Sequence, residues 1–98
     1  MQKQCDGAGR ILAKQYLRSA TSIGANIEEA QAGETRADFA HKLGVARKEA
    51  RESLYWLRLL AESGIVPQTK LDPLLRETAE LLAVITSIIV SAKKKQRD

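Results

Sequence analysis

The feature that most constrains the fold of this chain is a stripe of apolar residues that recurs every three or four positions through its middle. The stripe consists of Phe39, Leu43, Ala46, Ala50, Leu54, Leu57 and Ala61. At about 100° per residue these side chains share one face of an α-helix. No part of the sequence alternates between apolar and polar residues as a half-buried strand would. The sequence therefore predicts an all-α protein.

Capping residues predict where this helix begins and ends. Thr35 precedes the stripe, and Asp38 lies three positions after Thr35, which is the spacing of a capping box. Gly64 follows the last stripe residue by three positions, and Pro67 lies in the turn after it. We therefore predict a helix over residues 35–63.

Two further segments carry the same helical period, over residues 10–32 and 70–94. Gly33 would end the first helix. Thr69 and Asp72 repeat the capping pattern at the start of the third helix, with Pro73 in its first turn, where a missing N–H costs little. Residues 1–9 are predicted to be irregular. A chain of 98 residues is long enough for one domain.

The apolar face of the third predicted helix is wider than one neighbouring helix can cover. Val84 and Val90 broaden the apolar face of the third helix, and Tyr55, Trp56 and Leu59 lie on the second helix away from its main stripe. Each large apolar side chain left in water forgoes about 1.5–3 kcal/mol of burial. We expect another helix or another subunit to cover this surface.

The first predicted helix contains residues that are poor helix formers. Ser19, Ser22 and Asn26 fall on one flank of its apolar stripe, and Gly24 and Ala13 fall on the other. Small residues allow a neighbouring helix to approach closely, and serine hydroxyls can bond to carbonyls of their own helix. Asn26 is expected to bond across to another helix and set the register. A polar ligand site inside the bundle is the alternative.

The same residues resemble a known family. The stretch QYLRSATSIGANIEEAQAGETRADFAHKLGVARKEARESLYWLRLL, from Gln15 to Leu60, is similar to the bacterial four-helix bundle family encoded in intervening sequences of 23S rRNA genes. The resemblance implies an antiparallel (up-and-down) four-helix bundle that assembles as a homopentamer. Because only nine residues precede the predicted helix at Arg10, the first helix of that bundle is expected to be short or missing.

The resemblance also implies partners. The family is similar to the accessory variability proteins of diversity-generating retroelements, whose basic pentamers bind a reverse transcriptase and nucleic acid. It therefore implies an accessory protein that associates with RNA or DNA, with a reverse transcriptase as a further partner.

The charge of the chain is only weak support for nucleic acid binding. Sixteen basic and twelve acidic residues give a net charge of +4, but the stretch KKKQRD at the C-terminus supplies three of those charges. The rest of the chain is almost neutral. A charged tail is weaker support for nucleic acid binding than a basic face on a folded domain.

Five basic residues are candidates for contacts to a phosphate backbone. Lys14 and Arg18 share the outer face of the first helix, and Arg47, Arg51 and Arg58 fall within about 40° of each other on the second. Guanidinium groups aligned in this way can follow successive phosphates. A ring of subunits would concentrate this charge.

Two observations set limits on this hypothesis. The arginines can equally form ion pairs with Glu49, Glu52 or Glu62. Tyr16, Phe39, Tyr55 and Trp56 are expected to be committed to packing, so base stacking is not predicted, and binding would tolerate many sequences and depend on salt.

Catalytic chemistry is nearly absent from the sequence. Cys5 is the only cysteine and His41 the only histidine. Asp38 and His41 have the spacing of half a di-iron carboxylate motif, but a second such pair is missing. We expect no catalytic residue, metal or cofactor. The predicted function is that of a non-enzymatic accessory protein, and the alternative is a protein–protein adaptor that binds no nucleic acid.

The sequence also bears on location. A lone cysteine forms no intramolecular disulfide, which is typical of a reducing compartment. The longest apolar run, from Leu81 to Ala92, has twelve residues, whereas a membrane-spanning helix needs about 20. We therefore expect a cytoplasmic protein without membrane contact.

Overall fold

The computed structural model describes the backbone of residues 7–97 and the side chains of residues 7–94. The described chain forms three helices and no strand: α1 (Gly7–Ala32), α2 (Arg36–Ser63) and α3 (Gln68–Arg97). The prediction of an all-α protein is confirmed. The prediction of a four-helix bundle is wrong, because the described residues supply only three helices.

The three helices form an open layer with α2 in the centre. Short connections reverse the chain after α1 and after α2, so that each outer helix packs antiparallel on α2. Among the described residues, no Cα atom of α1 comes within 8 Å of one in α3. The described chain measures 56 × 20 × 14 Å along its principal axes. In a four-helix bundle each helix has two neighbours. Here α1 and α3 each have a single neighbour in the described chain, which is α2.

Local capping interactions determine both ends of α2, as the sequence predicted. The Thr35 hydroxyl accepts a hydrogen bond from the backbone N–H of Asp38 at 3.0 Å. After Ser63 the chain turns at Gly64, whose φ of 75° lies in the left-handed region that glycine adopts most easily. The Gly64 N–H donates to the carbonyl of Ala61 at 3.2 Å.

The other helices extend beyond their predicted ends. Residues 7–9, predicted to be irregular, form the first turn of α1, while residues 1–6 lie outside the described chain. Helix α3 begins at Gln68, so Thr69 lies within it and the predicted cap at Thr69 is wrong. The Lys70 N–H instead donates to the Pro67 carbonyl at 3.0 Å. Pro73 accordingly lies in the second turn of α3 and not in the first.

The core consists of two apolar clusters along α2. The larger contains residues from all three helices: Ile23, Ala30, Leu43, Ala46, Ala50, Ile85 and Ile89. The smaller contains Leu57, Leu60 and Leu71, with Leu12 and Tyr16 packed against it. Because α2 contributes to both clusters, its two apolar flanks hold α1 and α3 in place.

A buried pair of serines joins α1 to α2. The hydroxyls of Ser19 and Ser53 lie 2.9 Å apart, and both residues are fully buried. Ser19 Oγ donates to the carbonyl of Tyr16 at 3.0 Å, so Ser53 is the donor between the two hydroxyls. The prediction that serine hydroxyls bond within their own helix is confirmed at Ser19. This contact explains why small polar residues occupy the middle of α1.

Two other expectations for α1 are wrong. A Cβ atom added at Gly24 would meet no atom within 4 Å, so no neighbouring helix approaches there. The Asn26 side chain donates to the carbonyl and hydroxyl oxygens of Ser22, at 2.9 and 3.1 Å, and not to another helix. The serine four positions earlier supplies a local partner for the amide, so these bonds do not set the register between helices.

Candidate nucleic-acid interface

Arg18 lies at the interface of α1 and α2 and pairs with two carboxylates. Its guanidinium contacts Glu52 and lies 3.5 Å from Glu49 Oε1. Glu49 is only 7% exposed, so Arg18 compensates a carboxylate that is largely removed from water. Arg18 therefore has an intramolecular role. A phosphate that bound Arg18 would have to compete with the carboxylates of Glu49 and Glu52.

The arginines of α2 follow a different flank of that helix. Arg51 and Arg58 are exposed and Arg47 is half-buried. Over these eleven positions the helix rises about 16 Å. None of the three forms an ion pair with a carboxylate among the residues that the structure describes. The sequence alternative, in which they pair with Glu49, Glu52 or Glu62, is not observed in the described chain: Glu49 and Glu52 lie on the other side of α2 and pair with Arg18, and Glu62 forms no ion pair. We call Arg47, Arg51 and Arg58 the arginine row.

The five predicted contacts do not come together. Helix α1 packs on the flank of α2 that carries Glu49, Glu52 and Ser53. At 100° per residue the arginine row lies on the other side of α2. Lys14 is exposed on α1 and is therefore separated from the row by the helix pair. The structure divides the predicted set into the arginine row on α2 and Lys14 with Arg18 on α1.

A basic depression lies between α2 and α3 beside the start of the arginine row. It has a volume of about 290 Å³, and its lining includes His41, Gly44, Arg47, Lys48 and Lys93. No carboxylate lines it. Sequence reasoning missed this site. The spacing of His41 and Lys48, seven positions apart, indicated a shared face, but the approach of Lys93 depends on how α3 packs.

The residues predicted to pack against other helices or subunits differ in exposure. Tyr55 is 53% exposed, and its ring meets Trp56 edge to face, with centroids 5.0 Å apart. Trp56 and Leu59 are half-buried. The indole Nε1 of Trp56 is buried without a hydrogen-bond partner in the described chain. Asn26 is also half-buried.

The pKa of Tyr16 on α1 depends in part on a carboxylate of α3. Burial raises the pKa of the Tyr16 phenol, and the nearby Glu77 carboxylate of α3 raises it further. The phenol therefore remains neutral well above physiological pH. It adds no charge to the surface between α1 and α3.

The described residues contain little that bears on metal or membrane binding. No group of three or more His, Cys, Asp or Glu side chains within them is arranged to hold a metal ion. None of the described helices is long and apolar enough to span a membrane. Cys5 lies outside the described chain.

The fold and the surface define a class of protein: a small helical protein with a row of arginines that lack carboxylate partners in the described chain. Residues 4–87 match the family described as 23S rRNA-intervening sequence protein. The match covers most of the chain, which therefore belongs to this family. The resemblance found in the sequence is confirmed.

A solved structure agrees with this assignment. The chain is similar to a crystal structure of a protein of unknown function from the S23 ribosomal protein family of Bacteroides thetaiotaomicron, with 43% sequence identity and a TM-score of 0.78. The similarity covers 81% of this chain and 73% of that one. A comparison with curated proteins finds no match.

Proposed function

We propose that this protein is a non-enzymatic accessory protein that binds the phosphate backbone of RNA or DNA and acts as a homo-oligomer. The observation that carries the proposal is the arginine row, whose guanidinium groups have no carboxylate partner in the described chain. Glu49 and Glu52 lie on the other side of α2 and pair with Arg18, so these two carboxylates do not compensate the charge of the row.

The physical basis of this binding is the release of counterions from nucleic acid. Each arginine that neutralises a phosphate releases condensed cations, so affinity falls as salt rises. Because contacts to phosphate carry no sequence information, binding through the arginine row should discriminate poorly between bases.

The first prediction concerns the row itself. The double substitution Arg47→Glu and Arg51→Glu should weaken binding of single-stranded RNA about tenfold or more at low salt. The slope of log affinity against log salt should also fall in magnitude by about 1.4, because each lost contact contributes about 0.7 on a single strand. Fluorescence anisotropy titrations at several salt concentrations measure both quantities.

The matched control changes the same number of charges elsewhere. Arg10→Glu with Lys70→Glu alters two exposed cations on α1 and α3. This control should bind RNA nearly as the unaltered protein does. Equal losses in the two double variants would mean that only net charge matters and would refute a role for the row. Circular dichroism melts establish that both variants are folded.

The exposed apolar side chains of α3 support self-association. Leu74, Leu81 and Ile88 recur every seven residues, and Val84 lies on the same side of the helix. Leu81 is half-buried against the larger core cluster. Val84 is 55% exposed, and Leu74 and Ile88 are also exposed. A seven-residue apolar repeat is the pattern by which helices pack on like helices. We propose that a second copy of this chain covers this face, in the pentamer that the resemblance implies.

The second prediction tests this assembly. Val84→Glu with Ile88→Glu should lower the particle mass measured by size-exclusion chromatography with light scattering, because carboxylates in an apolar interface lose their hydration. The control Ala79→Glu with Ala83→Glu places two charges on exposed positions of α3 that lie about 100° or more from Val84 and Ile88, and it should leave the mass unchanged. A monomeric unaltered protein would refute the proposal.

A protein–protein adaptor is the second candidate function. The half-exposed Tyr55, in contact with Trp56, favours it, because aromatic side chains are enriched at interfaces. A reverse transcriptase is the partner that the resemblance implies. Apolar docking through these rings would change little with salt, whereas phosphate binding would weaken steeply.

A further inference from the structure

We propose that the basic depression between α2 and α3 holds one phosphate-bearing nucleotide of the strand that follows the arginine row. The proposal rests on the proposed function and adds to it a defined position for one nucleotide. The depression and the row share Arg47, so one strand can occupy both.

The charge of the depression favours a phosphate. Arg47, Lys48 and Lys93 line it together with the His41 imidazole, and no carboxylate does. None of these side chains forms an ion pair within the part of the chain that the structure describes. Lysine ammonium and arginine guanidinium groups are the usual ligands of phosphate in proteins. An anion entering the depression would therefore meet cations without displacing a carboxylate.

The size and the apolar part of the lining favour a nucleotide over a bare phosphate ion. The volume of about 290 Å³ is near the lower limit of about 300 Å³ for small-molecule pockets. Ala40 and Val45, both half-buried, contribute apolar surface, which a sugar or base can cover. The lining contains no Phe, Tyr or Trp, so stacking on these rings is excluded there and little base preference is expected.

Gly44 keeps the depression open. A Cβ atom added at this position would meet no atom within 4 Å, so the helix tolerates a side chain here and a larger one would project into free space. Replacing a helical glycine also removes a propensity penalty. Gly44 variants should therefore fold, and they can fill the depression while every cation remains in place.

The depression continues into the arginine row. Arg51 lies one turn, about 6 Å along the axis, from Arg47 on α2, and Arg58 lies two turns further on. A strand with one nucleotide in the depression would pass these two guanidinium groups next. Lys14 and Arg18 are not on this path, because α1 packs on the other flank of α2.

The experiment compares Gly44→Leu with Gly44→Ala in anisotropy titrations of a single-stranded oligouridylate of about ten nucleotides. Gly44→Leu should weaken binding about five- to tenfold, and Gly44→Ala, which adds only a Cβ atom, should change it less than about twofold. Arg51→Glu with Arg58→Glu, which lie outside the depression, tests the row separately. Uridine monophosphate, titrated by NMR, tests a free nucleotide.

The outcomes separate the two proposals. If Gly44→Leu binds the oligonucleotide as the unaltered protein does while the Arg51 and Arg58 variant loses binding, the nucleotide site is refuted and the proposed function stands. If neither variant loses binding, both proposals fail. Loss of uridine monophosphate binding in Gly44→Leu with unchanged oligonucleotide binding would assign the depression to a free nucleotide and refute its place on the strand's path.

Discussion

Leu57→Ala is expected to lower the free energy of unfolding by about 2–5 kcal/mol, the range for deleting a buried leucine side chain. Leu57 is fully buried in the smaller core cluster, where Leu60 and Leu71 surround it. It lies on the central helix, and α3 reaches it through Leu71. Deleting the side chain removes its burial free energy and leaves a cavity that the surrounding side chains can fill only in part. Each kcal/mol lowers the melting temperature of a domain of this size by about 4–8 °C.

The control for this prediction is Leu17→Ala, the same chemical change at a residue that is 59% exposed. Its cost should remain within about 0.5 kcal/mol, as for most surface substitutions. Urea unfolding followed by circular dichroism measures both, at one protein concentration, because assembly makes stability depend on concentration. Similar losses in both variants would show that the core is not centred on Leu57.

Arg18→Ala is expected to lower the free energy of unfolding by about 1–3 kcal/mol. Glu49 is almost completely buried, and the substitution removes the cation that lies 3.5 Å from its carboxylate. Removing one partner of a fully buried pair costs about 3–5 kcal/mol. The Arg18 side chain is half exposed, and water therefore screens part of the interaction.

Two further variants identify the source of this loss. Adding Glu49→Gln to Arg18→Ala should recover part of the stability, because the buried charge disappears together with its partner. Lys42→Ala removes the pair with Glu29, in which both side chains are substantially exposed, and should cost less than about 1 kcal/mol. An equal cost for Arg18→Ala and Lys42→Ala would argue that Glu49 is hydrated.

The Arg18 variant also separates stability from nucleic acid binding. If Arg18 acts mainly between helices, its removal should destabilise the protein, while the folded protein binds RNA nearly as before. Arg18 was predicted to contact phosphate because it lies on the outer face of α1 when that helix is viewed without its neighbours. In the folded chain the same guanidinium reaches α2.

The helices and the ends of α2 were predictable because they depend on residues close together in sequence. The apolar stripe of α2, its cap at Thr35 and its left-handed glycine at Gly64 involve contacts within a few positions. The family followed from the residues of the same region. The start of α3 was less predictable, and the structure begins the helix at Gln68, two positions before the predicted start at residue 70.

Choices between equally allowed partners were decided by the tertiary structure. Glu49 and Glu52 pair with Arg18, more than thirty positions away, while the arginines of their own helix lie on its other side. The Asn26 amide could have bonded to another helix, but it donates to Ser22 of its own helix. Sequence patterns specify the face on which a side chain lies, but they do not specify which side chain of another helix it meets.

The sequence by itself determined that the protein is all-α, where its apolar stripes lie and to which family it belongs, because helix periodicity and capping are short-range effects. The tertiary structure decided that the described chain is an open layer of three helices. It also decided that Arg18 is separated from the arginine row and that Lys93 joins His41, Gly44 and Lys48 around one depression. These features depend on how helices distant in sequence pack on α2, where burial and charge compensation act between residues that no local pattern connects.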